Sequence, residues 1–322
     1  MYDTPFDMLV FSPLGPVVAA VWGAMWGSFL NVVIERLPRG ESLLRPGSHC
    51  FSCGEPVRVY DNIPILSYLV LWGRCRHCGA GYSGRYALVE VLGLGLSVAC
   101  FYHAARYGGG SAQQRLAGYL VEFFFVAGLL AVAFIDIRTM IIPRAITYPM
   151  VVFCTGSAIG LGRLPWQEAI LGAAAGFLLV LLVWGLYLLI RGQEGIGWGD
   201  GMLLAVIGGF LGWKAIPLVL FLGSVQGLLV AVPMRLAGKS MLAQHSYHGL
   251  TDEPPDEDEE MSEGAELEED DSEEGVPGNE DLPEGALPFG PFLALAGIEA
   301  LFFGGAVVQR LSAVYDQLDV LL

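Results

Sequence analysis

The chain has 322 residues, of which 54% are hydrophobic and only 16% charged, and its formal net charge at pH 7 is −16. Its mean hydropathy is +0.55. This composition is typical of a protein embedded in a lipid bilayer, and it argues against a water-soluble enzyme or a basic protein that binds nucleic acid.

Apolar stretches recur along the chain, and a membrane-spanning helix needs about 20 such residues. The first stretch lacks a basic segment before it and is too long for a signal peptide, so we expect a retained helix. The stretch from Met202 to Met234 is interrupted by Lys214 and Pro217, so we expect two short helices joined near Gly212. The pattern predicts an all-α polytopic membrane protein with about eight transmembrane helices. The stretches are Leu9 to Val33, Ala87 to Ala105, Leu116 to Ile135, Ala145 to Leu161, Ala169 to Ile190, Met202 to Met234 and Leu287 to Val308.

The distribution of Lys and Arg predicts the orientation of these helices. Twelve of the seventeen basic residues fall on one side of the predicted membrane and five on the other, and the richer side is expected to be the cytoplasm. Both termini then lie outside, and the loop between the first two helices lies in the cytoplasm. The twelve are Arg36, Arg39, Arg45, Arg58, Arg74, Arg76, Arg85, Arg138, Arg144, Arg191, Arg235 and Lys239.

Two Cys-x-x-Cys pairs lie in that loop, Cys50 with Cys53 and Cys75 with Cys78. Two such pairs about twenty residues apart are typical of a zinc ion held by four thiolates. The alternatives are two disulfides or a redox pair, and disulfides would need an oxidising compartment. A bound metal would also supply folding free energy to a loop that has few large apolar residues.

Residues around the Cys pairs have simpler explanations. Gly54 and Gly79 directly follow the pairs, where a tight turn needs a positive φ. Because four Cys complete a structural site, we interpret the two neighbouring histidines as bystanders. Cys100 and Cys154 lie in apolar stretches and are expected to be small buried side chains.

Two aspartates stand out, because Asp136 ends one apolar stretch and Asp200 precedes another. An ionisable residue in a membrane segment is costly and is a functional candidate by default. Two predicted spans separate the aspartates, so both lie on the same side of the membrane. Two carboxylates that share a site of low dielectric cannot both ionise easily, and aspartic proteases use this arrangement to activate water.

Each acid also has a structural explanation. Asp136 could pair with Arg138, and Asp200 could cap the helix that follows it, since Asp is a favourable N-cap. Glu90 is expected to pair with Arg85. Two further acids in apolar stretches are expected at packing positions, Glu122 and Glu299.

The net negative charge belongs to one segment. Thr251 to Glu284 holds eighteen Asp or Glu and no Lys or Arg, so the rest of the chain carries a net charge of +2. With its Pro, Gly and Ser, this acidic tract is expected to be a disordered, solvated loop. A basic partner is the functional alternative, and the sequence does not identify one.

These features occur together in one known family. In this order they resemble the bacterial prepilin peptidases, also called type IV leader peptidases. The resemblance runs from the first predicted span to the last and leaves out mainly the acidic tract. The motifs are Gly27 to Ile34, Arg36 to Pro38, the two Cys pairs, Asp61 to Tyr68, Gly73 to Cys75, Arg85-Tyr86, Glu90, Asp136 to Arg138, Ile142-Pro143, Gly197 to Asp200 and Pro288 to Phe292.

The resemblance implies a protease of the bacterial inner membrane, of the GxGD aspartyl type, with its active site facing the cytoplasm. Such enzymes cleave the leader from type IV prepilins and type II secretion pseudopilins. Zinc-bearing members also methylate the new N-terminus with S-adenosylmethionine. By this resemblance Asp136 and Asp200 are the catalytic pair and Cys50, Cys53, Cys75 and Cys78 the metal ligands. Gly73 is the candidate for methyl transfer.

The same interpretation divides the chain into five parts. We predict a first transmembrane helix at 1–35, a cytoplasmic zinc-binding module at 36–86 and a transmembrane peptidase core at 87–240. An acidic disordered loop at 241–286 and a last helix with its tail at 287–322 follow.

Other readings stay open. Phe51 stands where the family usually has proline, and the acids Glu35, Glu41 and Glu55 could contact a basic leader. The chain could be a peptidase that has lost methyl transfer. From another class, it could be a membrane transporter or scaffold whose acids carry protons or cap helices, although transporters often show two repeated halves and none is evident here.

Overall fold

The computed structural model describes Met8 and residues 12–191, 197–237 and 287–319, with side chains of the last segment described to residue 305. The acidic tract lies outside the described residues. Within these ranges the protein is all-helical, with two isolated β-bridges and no strand, which confirms the predicted fold class. The helices are α1 Leu14–Arg36, α2 Leu66–Leu71, α3 Arg85–Tyr107, α4 Ala112–Thr139, α5 Arg144–Gly160, α6 Trp166–Arg191, α7 Trp198–Leu211, α8 Ala215–Leu236 and α9 Gly290–Asp319.

Five of these helices are long and apolar enough to cross a membrane, namely α1, α3, α4, α6 and α8. The described part of α9, Gly290–Gly305, and all of α7 are apolar but shorter. With 14 residues, α7 is about 21 Å long at 1.5 Å per residue. A bilayer core is about 30 Å thick, so helix length alone does not establish the predicted eight spans.

The predicted break in the long apolar stretch is confirmed. Helix α7 ends at Leu211 and α8 begins at Ala215, and between them Gly212 adopts a positive φ of 87°. This left-handed conformation favours glycine because any Cβ would be strained there.

Helix α7 is the most enclosed helix of the described chain, with ten of its fourteen residues buried. It packs against α5, α6 and α9. Along α6 the contact depends on glycine, because a Cβ on Gly176 would lie 2.5 Å from the carbonyl oxygen of Leu204. Small residues of this kind let membrane helices approach closely, and here they bring α6 against the middle of α7.

Two compact units can be distinguished. The first comprises residues 1–226 and 288–322 and contains the helices discussed above, except for the end of α8. The second comprises residues 227–287, and its described part is mainly the C-terminal portion of α8, up to residue 237. The five-part division predicted from the sequence stays a prediction.

Candidate active site and metal centre

Asp136 lies in the last turn of α4 and is only 4% exposed. Its backbone carbonyl accepts the N–H of Met140, where the helix ends. Arg138, two residues later, donates to Glu35 at 2.7 Å. The alternative in which Arg138 pairs with Asp136 is therefore wrong, and an ion pair with Arg138 does not explain why Asp136 is buried.

Asp200 lies in the first turn of α7 and is 9% exposed. The helix begins at Trp198, with Gly197 at the N-cap position, so Asp200 is not the N-cap residue that the structural alternative required. Its carboxylate interacts with the backbone N–H of Gly197. The Oδ1 atom is buried and has no hydrogen-bond partner among the described residues, which leaves it available to a bound molecule.

The two aspartates meet although they lie on separate helices. Their carboxylates are near enough to interact electrostatically. Ile142, just after α4, packs beside both of them: a Cβ on Gly199 would lie 2.6 Å from the Ile142 Cβ, so only glycine fits before Asp200. The structure thus brings together the pair of acids that the sequence singled out.

The start of α9 completes this site, a role that the sequence analysis missed. The backbone N–H of Gly290 interacts with the Asp136 carboxylate. A Cβ on Gly290 would lie 2.5 Å from Asp136 Oδ2 and 3.1 Å from Ile142 Cδ1. The Pro288 to Phe292 motif was the only sequence feature that pointed to this role, and its residues do not indicate which helix end it contacts.

A small cavity opens beside the second aspartate. It lies between α6 and the start of α7, and Trp198 packs edge-on against Phe177 with ring centroids 5.1 Å apart. Trp198 occupies the variable position of the Gly197 to Asp200 motif, so this position forms part of the wall. The cavity is lined by Phe177, Val180, Leu181, Trp184, Gly197, Trp198 and Gly201.

Three arginines surround Glu35 at the same end of the helices. The Glu35 carboxylate accepts from Arg39 at 2.8 Å, from Arg85 at 2.6 Å and from Arg138 at 2.7 Å. These ion pairs connect the end of α1 with the start of α3 and the end of α4. The side chain is 10% exposed, so the suggestion that Glu35 contacts a basic leader is wrong for this state of the protein.

The predicted pairing of Glu90 with Arg85 is also wrong, because Arg85 is taken by Glu35. Glu90 instead accepts the backbone N–H of Ile65 at 2.7 Å and the side chain of Ser28. It therefore joins α1 and α3 to the segment that carries α2.

The other two acids in apolar stretches are held by polar partners and lie away from the candidate site. Glu122 is 2% exposed and lies 3.0 Å from His103 Nδ1, and its carboxylate also accepts from Arg163 at 2.5 Å. Glu299 accepts from Gln226 at 2.7 Å. Neither lies in the group formed by Asp136 and its neighbours.

The four predicted cysteine ligands form one cluster. The sulfur atoms of Cys50, Cys53, Cys75 and Cys78 all lie within 4.8 Å of one another, and Cys50 Sγ is 3.8 Å from Cys78 Sγ. A tetrahedral ion with metal–sulfur bonds of about 2.3 Å places its ligand atoms about 3.8 Å apart. All six cysteines are free thiols, so the disulfide alternative does not describe this structure.

The two Cys pairs adopt the same turn. In each pair, the N–H of the first cysteine donates to the backbone carbonyl of the residue five positions later. The N–H of the glycine after the second cysteine donates to the carbonyl of the first cysteine at 2.9 Å. Gly54 and Gly79 have φ of 69° and 74°, as predicted. The N–H groups of Cys53 and then Ser52 lower the pKa of the Cys50 thiol to about 6, which favours a thiolate at this position, whereas the pKa of the neighbouring Cys53 thiol is raised.

A bidentate ion pair braces this module. Arg76, inside the second Cys pair, donates from Nε to Asp61 Oδ2 at 2.8 Å and from Nη2 to Oδ1 at 2.6 Å. This contact holds the pKa of the Asp61 carboxyl below its usual range. The Asp61 to Tyr68 motif is thereby tied to the four-cysteine cluster, a link that the sequence analysis did not identify.

Comparison with known proteins places these sites in one family. Residues 21–104 match the bacterial peptidase A24 N-terminal domain, and residues 123–232 match the type IV leader peptidase family. The prepilin leader peptidase/N-methyltransferase of Myxococcus xanthus is 35% identical over 91% of this chain and 92% of its own length. This chain belongs to the type IV leader peptidase family.

Other relatives carry the same description. The prepilin leader peptidase/N-methyltransferase of Neisseria gonorrhoeae is 34% identical over 72% of this chain and 86% of its own, and that of Aeromonas hydrophila is 32% identical over 90% and 91%. No solved structure matches the chain. Family membership and the five long apolar helices together make this leader peptidase an integral membrane protein.

The two family matches divide the sites of this leader peptidase between them. The first match covers most of α1, the four cysteines and most of α3, and the second covers both aspartates. Gly73, the candidate for methyl transfer, has a φ of 64°, and a Cβ there would lie 3.0 Å from the ring of Tyr68. Packing therefore already explains this glycine, and its role in methyl transfer stays a prediction.

Proposed function

We propose that this leader peptidase removes the leader from type IV prepilins and type II secretion pseudopilins and then methylates the new N-terminus. The observation that carries the proposal is the meeting of Asp136 and Asp200, two buried carboxylates from different helices. The names of its relatives supply both activities. A proton-carrying transporter or scaffold is disfavoured, because its only support was the two acids and the relatives that share the family are named as peptidases.

The carboxylate pair would cleave the leader through water. One carboxylate accepts a proton from a water molecule, and the resulting hydroxide attacks the carbon of the scissile carbonyl. The protonated partner stabilises the developing oxyanion and then donates its proton to the leaving amine as the C–N bond breaks. Because the pair titrates as a unit, neither role is assigned to one residue. The unpaired Oδ1 of Asp200 supports this use.

We propose that eight helices cross the bacterial inner membrane and that the aspartates face the cytoplasm. The eight are all the described helices except α2, and the shorter ones need a locally thinned bilayer. The arginines around Glu35 support this orientation, because they lie at the Asp136 end and basic residues favour the cytoplasmic side. A prepilin could then enter sideways from the membrane.

We propose zinc as the ion of the four-Cys cluster. Four thiolates suit tetrahedral zinc and leave no open position for water, so the ion would be structural. Cys50, Cys53, Cys75 and Cys78 would hold it. The module would then present a fixed surface above the aspartates to the leader of the substrate.

S-adenosylmethionine is the methyl donor that this proposal requires. When bound, it would supply an activated methyl group for the free amine of the processed pilin, with S-adenosylhomocysteine as the leaving group. The alternative is a peptidase without methyl transfer.

The intact mass of a type IV prepilin expressed with this leader peptidase tests the proposed function. We expect the pilin to lose its leader and gain one methyl group, while the same prepilin expressed alone stays full-length. Loss of the leader without a methyl group would contradict the second activity. A full-length product across a panel of prepilins and pseudopilins would contradict both.

Replacing Gly290 by alanine should slow cleavage by about 100-fold, since a shift of about 1 Å in a catalytic group has that scale of effect. The added Cβ would meet Asp136 Oδ2 at 2.5 Å and push the carboxylate away from Asp200. Leader removal is measured in membranes over time. Gly305→Ala is the matched control in the same helix, because a Cβ there meets nothing within 4 Å. Equal rates for the two variants would show that α9 does not shape the site.

A further inference from the structure

Helix α2 presents an apolar face that the described chain does not cover. Leu66, Leu69 and Val70 are 58%, 62% and 69% exposed. They lie on one side of the helix, because residues three and four apart share a face. Trp72, directly after the helix, is 86% exposed.

The opposite face of α2 is turned toward the protein. The ring of Tyr68 packs edge-on against Tyr82 with centroids 5.5 Å apart. It also fills the space beside Gly73, whose Cβ would lie 3.0 Å from it. These contacts fix the rotation of the helix about its axis and keep its apolar face directed away from the protein.

A hydrogen bond sets the depth of α2 relative to the membrane helices. The N–H of Ile65, at the start of α2, donates to Glu90 at 2.7 Å. Glu90 is five residues into α3, or about 8 Å along its axis from Arg85. The Ser28 side chain that Glu90 also contacts is eight residues before the end of α1, or about 12 Å from Arg36. Ile65 has a φ of 64°, so its backbone is strained to reach this position.

The arginines around Glu35 mark where the apolar part of α1 and α3 ends. Arg39, Arg85 and Arg138 gather at these helix ends, at the level expected for lipid headgroups. Glu90 and Ser28, which hold the start of α2, are attached further toward the membrane centre than this level, while the Tyr68 hydroxyl lies beside Gly84 at the start of α3. An apolar face at that depth meets lipid rather than water.

We propose that α2 lies in the membrane interface and that its Leu66, Leu69 and Val70 face contacts the lipid of the nearer leaflet. The module between α1 and α3 would then rest on the bilayer. Trp72 fits this position, because tryptophan favours the boundary between headgroups and acyl chains. An amphipathic helix of this kind binds through its buried apolar area. The inference concerns the module alone and does not depend on cleavage.

A fluorescent amino acid that responds to its surroundings tests this placement. It is incorporated at Leu69 and, as the matched control, at the exposed Glu55, two residues after the first Cys pair. Each full-length protein is reconstituted in vesicles of phosphatidylcholine and phosphatidylglycerol. We expect lipid with brominated acyl chains to quench position 69 about threefold more than position 55, and aqueous iodide to show the reverse order. A label at Val70 should follow position 69.

Two results would overturn the proposal. Iodide quenching as strong at 69 and 70 as at 55 would place the face in water. Shielding of positions 69 and 70 from iodide only after a prepilin is added would make the face a docking surface for substrate. Elution of each labelled protein with the unlabelled one on size-exclusion chromatography confirms that it has folded.

Discussion

Asp200→Asn should reduce leader cleavage by about 10⁴-fold or more, the scale found when one member of a catalytic unit is removed. An amide cannot take a proton from water, and it cannot donate one to the leaving amine. Asparagine has nearly the same shape, so the enclosed start of α7 should keep its packing. The measurement is the mass of a co-expressed prepilin over time, together with thermal unfolding of the purified variant.

The choice of control makes this result specific. Glu299→Gln also converts a membrane acid to an amide, but it lies in α9 with Gln226 as its partner. It should cleave at close to the normal rate. Asp136→Asn should match Asp200→Asn, and the double variant should be no slower than either, because the two act as a unit. Cleavage by Asp200→Asn within tenfold of the normal rate would refute the proposed mechanism.

Cys75→Ser should leave the purified protein without its metal. Three thiolates and a serine hydroxyl bind zinc far more weakly than four thiolates, and the structural ion supplies folding free energy of about 10 kcal/mol or more in small zinc modules. We expect zinc content to fall from about one ion per chain to about one-tenth or less. Proteases should then cut between α1 and α3, while the membrane helices stay intact.

Cys154→Ala is the matched control for this variant, since Cys154 is a buried cysteine in α5 outside the cluster. Its zinc content and protease pattern should be unchanged. Element analysis of both proteins after dialysis against a chelator gives the comparison. A full complement of zinc in Cys75→Ser would refute the four-thiolate site.

Features with a local cause could be predicted from the sequence. Each Cys pair closes a turn of a few residues, so its spacing and the positive φ of Gly54 and Gly79 follow from the letters alone. The break at Gly212 has a similar local origin, because charge and proline interrupt an apolar run there. Two predicted spans between Asp136 and Asp200 led to the expectation that both acids share one side, and their carboxylates are near enough to interact.

Contacts between distant segments could not be predicted in the same way. Arg85 had a nearby acid in Glu90, yet it pairs with Glu35 on another helix. The acid that pairs with Arg85 is determined by how three helix ends pack together, and residue spacing along the chain does not reveal this packing. The Gly290 contact with Asp136 spans more than 150 residues for the same reason. The short helix α7 was expected from the break near Gly212, but its 14 residues do not by themselves establish a crossing, so the number of spans stays a prediction.

The position of Gly290 in the chain affects when the site is assembled during translation. During translation Asp200 leaves the ribosome about ninety residues ahead of Gly290, the glycine that borders Asp136, and Asp136 leaves earlier still. Until α9 arrives, neither its N–H nor its packing against α4 and α7 is present. A ribosome stalled in the acidic tract would therefore hold a chain with both acids and no finished site. We therefore expect a chain truncated before Gly290 to cleave no leader when it is expressed with a prepilin.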